Sequence, residues 1–221
     1  MATVMPKKDV VIVGVGWTGG IVAAEAAKAG LSVVGLEQGK DRSTADFSMV
    51  HDELRYALRY DLMQNLAKET VTFRNNESMR ALPMRQHGSF LLGEGVGGAG
   101  VHWNGQTHLF LDYDFQIYTK TVERYGKSKI PEGMTIQDWG ITEAELDPYY
   151  YKFVEMAGIS GDEHGHRSYR TWKYPTPPMK LSPALKLFYD TAKKMGLTPY
   201  NSPSANLSQS YTNSDGITRA A

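Results

Sequence analysis

The sequence contains no cysteine among its 221 residues. Disulfides, thiolate metal sites and redox-active thiols are therefore excluded from these residues, although the absence does not fix the compartment. The 24 basic and 24 acidic residues cancel to a formal net charge of zero. We accordingly expect neither a nucleic acid nor an anionic membrane surface as a partner. No apolar run approaches the roughly 18 residues that a membrane-spanning helix needs, so the sequence predicts no direct membrane span.

The residues before the first apolar run contain no hydrophobic h-region, and we expect no secretory signal peptide there. Internal repeats and low-complexity tracts are also missing. What the chain has instead is glycine, 22 residues in all, many of them in two clusters. With 41% hydrophobic and 22% charged residues, the chain is expected to be globular and to bury a substantial core.

The first glycine cluster has the order of a dinucleotide-binding unit. An apolar run at 9–13 leads into a glycine turn at 14–19, which is followed by an amphipathic segment at 21–29. A second apolar run, 31–36, then ends in the acid Glu37. This order predicts an α/β domain with a Rossmann-like strand–helix–strand start. An ordinary strand-to-helix turn of another α/β protein is the alternative. It explains neither the three glycines at this spacing nor the acid that ends the second run.

Each residue of this unit has a separate task. Gly14 permits the tight turn out of the strand, Gly16 lets the backbone approach a pyrophosphate, and Gly19 lets the helix pack closely on the sheet. The helix N-terminus offers N–H groups and a positive dipole end to the phosphates. Glu37 stands near the spacing expected for the acid that binds an adenosine ribose, and its charge disfavours a 2′-phosphate. We therefore expect FAD or NAD rather than NADP. Trp17 is bulky and must point away from the phosphates, into the domain or toward a partner.

The second glycine cluster, 93–100, follows a short strand expected at 89–92. Five glycines in eight residues free the backbone to wrap a ligand closely, and their N–H groups can line an anion nest. The next residues, Val101-His102-Trp103-Asn104, do not have linker composition. A ligand-binding loop is therefore favoured over a flexible linker.

Apolar periodicity and capping signals predict three more helices, at 47–66, 142–158 and 182–195. The tail from 201 to 221 is polar and turn-rich, with no element able to complete a sheet. A parallel sheet needs more than two strands to bury both faces, so the chain looks truncated.

Together these segments resemble the glucose–methanol–choline (GMC) flavoprotein oxidoreductases, and among them the large flavin-bearing subunits of bacterial gluconate 2-dehydrogenase-type enzymes. The resemblance is carried by VVIVGVGWTGG (10–20), GLEQG (35–39), GEGVGGAGVHWNGQT (93–107) and the segments 138–161 and 174–183. It implies that residues 1–221 are the N-terminal portion of such an enzyme. FAD-binding segments are implied at 9–40 and 89–110, and excursions with the start of a substrate or cap region at 41–88 and 111–221.

The resemblance implies FAD rather than NAD. It also implies oxidation of a hydroxyl of a sugar, sugar acid or polyol, with hydride passing to flavin N5. The residues that match the family's cofactor-binding motifs are Gly14, Gly16, Trp17, Thr18, Gly19, Glu37, Gly97, Gly98, Val101, His102, Trp103 and Asn104. No metal is implied. The catalytic base of the family, a histidine paired with a second histidine or an asparagine, lies near the C-terminal end of much longer chains, so no catalytic residue is assigned here.

His102 has two implied roles. The pattern Gly-Gly-x-x-x-His-Trp at 97–103 is that of family flavoproteins whose histidine is bonded to the 8α carbon of the flavin. Related loops carry the same histidine beside a noncovalent flavin, and we favour the covalent link. The other histidines, at 51, 87, 108, 164 and 166, are isolated or lie in a polar loop, and they are weaker candidates for catalysis or metal binding.

The resemblance further implies a sugar-type substrate, a small export or chaperone subunit and a cytochrome c subunit. A periplasmic location, membrane-associated through these partners, is expected, with a cytoplasmic enzyme as the alternative. Two other functions stay open: a non-catalytic FAD-binding or interaction fragment, and an NAD-dependent dehydrogenase, against which the second glycine cluster argues. The 221 residues alone are expected to be inactive.

Overall fold

The computed structural model describes residues 4–47, 72–74, 76–83, 93–162 and 172–221. The chain divides into two compact units, one of residues up to Trp103 and one of Asn76–Ser78 with Asn104–Ala221. The strand expected at 89–92 lies outside the described residues. So does the helix expected at 47–66, apart from Phe47, which ends a 3-10 helix that begins at Thr44.

The first unit is built on the strand–helix–strand order that the sequence predicts. Strand β1 (Val10–Val13) and strand β2 (Val33–Leu36) pair in parallel, with Val10 opposite Val33. Helix α1 (Trp17–Lys28) connects them, because parallel neighbours require a crossover connection. The α/β start of the fold is thus as predicted, although α1 begins directly after Gly16, four residues before the amphipathic segment.

In the described residues this parallel sheet has two strands, and much of its apolar surface is uncovered. Val11 is 58% exposed and Val13 is 84% exposed. Strands of parallel sheets are ordinarily buried on both faces. The described part of the first unit therefore does not supply the cover that these strands require. Two further short strands, β3 (Thr72–Phe73) and β4 (Leu82–Pro83), pair in antiparallel fashion.

The second unit is mainly helical where the structure describes it. Its helices are α2 (Asp112–Phe115), α3 (Ile117–Tyr125), α4 (Glu143–Ala157) and α5 (Pro183–Lys194). The last two confirm the helices expected at 142–158 and 182–195. Local capping explains their ends: Thr142 Oγ1 accepts the Glu145 N–H at 3.3 Å, and Ser182 Oγ accepts the Leu185 N–H at 3.3 Å. Helix α4 stops at Gly158, whose φ of +72° favours glycine.

Helix α3 is capped from a distance. Gln116 precedes it without a side-chain cap, and the Asp138 carboxylate accepts the N–H groups of Tyr118 at 2.9 Å and Thr119 at 3.1 Å. It also accepts the Thr119 hydroxyl at 2.5 Å. These hydrogen bonds, the Thr119 hydroxyl first, hold the pKa of Asp138 below its usual range.

The second unit also contains the buried core of the described chain. Phe115, Val154 and Ile159 are at most 1% exposed. Beside them, the buried Ser160 hydroxyl lies 2.7 Å from Thr176 Oγ1, donates to the Asn206 carbonyl and accepts the Ser208 N–H. A polar group buried in this way requires its hydrogen bonds, so Ser160 links three separate stretches of chain.

The tail contains a small element that the sequence analysis did not predict. Strands β5 (Tyr211–Thr212) and β6 (Thr218–Arg219) form an antiparallel hairpin. The Asn213 side chain shapes the turn, since its Oδ1 accepts the N–H groups of Asp215 and Ile217. In the part of the chain that the structure describes, no helix has the length and apolar character needed to cross a membrane.

Candidate functional site

The first glycine cluster forms the turn from β1 into α1. Gly14 has a φ of +89°, a region that favours glycine, and its N–H donates to the Leu36 carbonyl at 2.7 Å. A Cβ placed on Gly19 would overlap the carbonyl oxygen of Gly14 and would lie 3.2 Å from Ile12 Cγ2. The structure therefore places Gly19 at a close approach of the helix to the turn.

The N-terminus of α1 is built to face an anion. Its N-cap residue is Gly16, no side chain caps it, and its first turn contains no acidic residue. Thr18 is exposed on this turn. The first N–H groups of a helix have no intrahelical acceptor and carry the positive end of its dipole. These are the electrostatic properties of a helix N-terminus that binds a phosphate group.

Glu37 lies at the end of β2 and braces the glycine turn. Its Oε2 accepts the Val15 N–H at 2.8 Å and its Oε1 accepts the Gly39 N–H at 2.9 Å. These N–H groups, that of Gly39 first, hold the pKa of Glu37 below its usual range, so the side chain is ionised at neutral pH. The bracing role was not foreseen from the sequence pattern. The ribose contact expected for Glu37 stays a prediction.

The second glycine cluster lies against the first. Gly97 forms a parallel bridge with Gly16, and its N–H donates to the Val15 carbonyl at 2.8 Å. A Cβ on Gly98 would lie 3.1 Å from Gly16 Cα. A 3-10 helix, Gly98–His102, follows this contact. The structure thus brings together two segments that are separated by about 80 positions in the sequence.

Two contacts of this region were not predicted by the sequence analysis. A Cβ on Gly39 would lie 2.5 Å from Gly95 Cα, so the chain after β2 touches the second cluster without intervening side chains. The Arg42 guanidinium donates to the Glu94 carbonyl at the same place. The sequence feature that could have pointed to these contacts was the glycine two positions after Glu37.

The other predicted site residues are placed as follows. Val101 contacts the loop, since a Cβ on Gly97 would lie 3.0 Å from its Cγ1. His102 ends the 3-10 helix, and its side chain is outside the described part of the structure. Asn104 belongs to the second unit, where its carbonyl accepts Asn206 Nδ2 at 3.1 Å. The structure therefore groups Asn104 with the second unit rather than with the glycine clusters.

Trp17 contacts the second glycine cluster of the same unit and remains 41% exposed. Its indole covers Gly100, and its ring meets that of Trp103 edge to face, with centroids 4.8 Å apart and an interplanar angle of 88°.

Among the remaining histidines, His108 lies in the second unit with Nε2 3.1 Å from Ser202 Oγ. His51, His87, His164 and His166 are outside the described residues.

No family model matches the chain, but two curated proteins do. Over 98% of its length it is 41% identical to the gluconate 2-dehydrogenase flavoprotein of Pantoea cypripedii, and the match covers 38% of that protein. Over 92% of its length it is 26% identical to the fructose dehydrogenase large subunit of Gluconobacter japonicus, covering 37% of that protein. The chain thus spans well under half the length of these curated relatives. The resemblance inferred from the motifs is confirmed: over nearly its whole length the chain is similar to a flavoprotein of the gluconate 2-dehydrogenase type.

Proposed function

We propose that the chain is the FAD-binding N-terminal portion of a GMC-type dehydrogenase subunit that oxidises a hydroxyl group of a sugar, sugar acid or polyol. The observation that carries this proposal is the joining of the two glycine clusters beside the uncapped N-terminus of α1. The relatives' names support it, since one is a flavoprotein of gluconate 2-dehydrogenase and the other the large subunit of a fructose dehydrogenase.

The residues fit an FAD molecule at three points. The N-terminus of α1 would hold the pyrophosphate, because its N–H groups are uncapped by side chains and its first turn is free of acidic residues. The ionised Glu37 would accept the ribose hydroxyls at the adenosine end. The segment from Gly97 onward would follow the cofactor toward the flavin, since its backbone is bare of side chains where the two clusters touch.

When bound, the flavin supplies a ring that accepts hydride from the carbinol carbon. The work of this chain is to bind and orient that ring. The substrate hydroxyl must also lose its proton to a general base, and we assign no described residue to that role. We propose that the base lies in the part of a full-length relative that this chain does not span.

We further propose that His102 is bonded covalently to the flavin. The proposal rests on the spacing of His102 from Gly97 and Gly98 and on Trp103 directly after it. Acid precipitation of flavin-loaded protein tests it. Yellow colour that stays in the pellet, with a flavin-bearing peptide containing His102, is expected. Colour released to the supernatant contradicts the covalent bond and leaves FAD binding intact.

The assembly is a proposal of the same kind. We propose a small export or chaperone subunit and a cytochrome c subunit as partners, and a periplasmic location in which the partners provide membrane attachment. Cell fractionation followed by co-purification tests both parts. Recovery of the protein in the cytoplasmic fraction without partners would contradict them and would favour the cytoplasmic alternative.

The binding experiment compares four ligands on the purified 221-residue chain. We expect FAD and ADP to bind, FMN to bind far more weakly because it lacks the AMP half of FAD, and NAD to bind more weakly than FAD. The variant Glu37→Gln should weaken FAD binding about tenfold or more, since it removes a charged acceptor. Glu25→Gln is the matched control, because Glu25 lies on α1 in an exposed pair with Lys28.

Dye reduction with gluconate, fructose, sorbitol or glucose then separates the remaining functions. We expect no turnover from the isolated chain, and turnover once the protein is extended to the length of its relatives. Turnover by the isolated chain would contradict the proposed place of the base. FAD binding without turnover at full length would identify a non-catalytic FAD-binding protein, and NAD binding without FAD binding would identify a nicotinamide enzyme.

A further inference from the structure

Trp17 occupies an unusual position for a large aromatic side chain. It directly follows Gly16 and is the first residue of α1, at the end of the helix that faces the proposed phosphate position. The residue is 41% exposed, so it is not a buried core residue. Burial in a hydrophobic core therefore does not account for its placement.

The contacts of Trp17 are with the second glycine cluster. A Cβ on Gly100 would overlap the indole at Nε1 and Cδ1 and would lie 2.9 Å from Cε2. Only glycine at position 100 leaves room for the ring in this geometry. Trp103 meets the same ring edge to face at 4.8 Å, an arrangement that aromatic pairs prefer. The indole thus contacts the 3-10 helix Gly98–His102 at its middle and just beyond its end.

These contacts complete a three-point attachment of that 3-10 helix. At its start, the Gly97 N–H donates to the Val15 carbonyl and Gly98 approaches Gly16. At Gly100 and Trp103 the indole provides the remaining contacts. Contacts at Gly97 and Gly98 alone would hold the 3-10 helix only at its start and would leave its direction free. The added contacts at Gly100 and Trp103 fix that direction. Because the 3-10 helix ends at His102, Trp17 fixes where the backbone of residue 102 lies relative to the α1 turn.

We propose that Trp17 is a positioning residue: its indole clamps the 97–103 segment to the N-terminus of α1 and so sets the flavin end of the cofactor site relative to the pyrophosphate end. The inference rests on the proposed FAD binding and deepens it. It assigns to Trp17 no contact with the reacting atoms, because its effect passes through the backbone of the 3-10 helix.

The first test is hydrogen–deuterium exchange on the ligand-free chain, which does not depend on FAD. In Trp17→Leu we expect faster exchange in peptides covering 93–103 and unchanged exchange in α4. Trp139→Leu is the matched control, since Trp139 is an exposed tryptophan of the second unit that contacts Phe110 and Phe115. It should leave 93–103 unchanged. Unchanged exchange in Trp17→Leu would overturn the clamp.

The second test compares the affinities for FAD and for ADP. Loss of the clamp should weaken FAD binding about 3- to 10-fold, the range that follows from one aromatic pair, and leave ADP binding unchanged because ADP ends at the pyrophosphate. Trp17→Phe, which keeps a ring, should restore part of the FAD affinity. Equal losses for FAD and ADP would overturn the positioning role and show a general defect of the turn.

A double-mutant cycle with Gly100 separates the clamp from incidental damage. Gly100→Ala should weaken FAD binding when Trp17 is present, because the methyl group and the indole compete for one place. In the Trp17→Leu background it should add little further loss. Additive losses would contradict the contact. If the unsubstituted chain binds ADP but no FAD, the proposed function fails, and the exchange experiment still decides whether Trp17 holds the segment.

Discussion

The neighbouring glycines Gly19 and Gly20 offer a sharp mutational contrast in α1. They are the third and fourth residues of α1, where replacing glycine with alanine gains at most about 1 kcal/mol of helix propensity. Their surroundings differ, however. A Cβ on Gly20 would meet nothing within 4 Å, whereas a Cβ on Gly19 would overlap the Gly14 carbonyl oxygen and press on Ile12. We therefore expect Gly20→Ala to stabilise the chain and Gly19→Ala to destabilise it.

The size of the contrast follows from how little the obstacle can move. The Gly14 carbonyl belongs to a backbone turn with φ of +89°, and the N–H of the same residue is bonded to Leu36. Overpacking a rigid site costs about 1–3 kcal/mol, and a backbone obstacle places Gly19→Ala at the upper end. The propensity gain is common to both variants and cancels. Gly19→Ala should therefore be less stable than Gly20→Ala by about 3 kcal/mol.

Differential scanning calorimetry measures this difference directly. For a chain of this length, 1 kcal/mol corresponds to about 2–4 °C in Tm, so the two variants should differ by roughly 6–12 °C. Far-ultraviolet circular dichroism at 20 °C checks that both retain the native helix content. Equal Tm values, or a higher Tm for Gly19→Ala, would refute the close seating of α1 on the turn.

Three further predictions concern the second unit. Thr142→Ala removes the N-cap of α4 and should lower the free energy of unfolding by about 1 kcal/mol, measured by urea titration, with Thr142→Ser restoring most of it; no loss would show that the cap is dispensable. Ser160→Ala removes a hydroxyl from a fully buried position and leaves the part-buried Ser208 N–H without its acceptor. It should cost about 1–3 kcal/mol, and a neutral result by urea titration would contradict the network. Asp138 has a folded-state pKa below its unfolded value of about 3.9, so its stabilisation is present above that pH and is lost as the pH falls through the folded-state pKa. The Tm difference between the unsubstituted chain and Asp138→Asn should therefore be full at pH 7 and vanish in acid below that window, whereas a difference independent of pH would contradict an electrostatic cap.

The parts of the fold that the sequence predicted are those set by neighbouring residues. The strand–helix–strand start follows from apolar runs and from glycines a few positions apart. The N-terminal ends of α4 and α5 follow from the hydroxyls of Thr142 and Ser182, each of which accepts the backbone N–H three residues later. Such signals are complete within one or two helical turns, and no distant contact is needed to interpret them.

The parts that escaped prediction depend on residues far apart in the chain. Asp138 caps a helix about 20 positions before it, and Glu37 reaches back 22 positions to the Val15 N–H. Gly39 and Gly95 touch across more than fifty residues. A sequence shows that a carboxylate or a glycine is present, but only the packed chain shows which N–H or which backbone it meets. The sequence therefore predicted candidate residues for the site, but it did not predict the contacts that these residues make.

The exposed valines of β1 have a consequence for handling the chain. Val11 and Val13 present branched apolar side chains to water, on strands whose sequence is a continuous apolar run. Exposed apolar strands are sites at which separate molecules associate. We therefore expect the 221 residues to lose monomer as concentration and temperature rise, since hydrophobic association strengthens on warming, and size-exclusion chromatography at two temperatures measures this. Dilute, cold samples are expected to preserve the monomer.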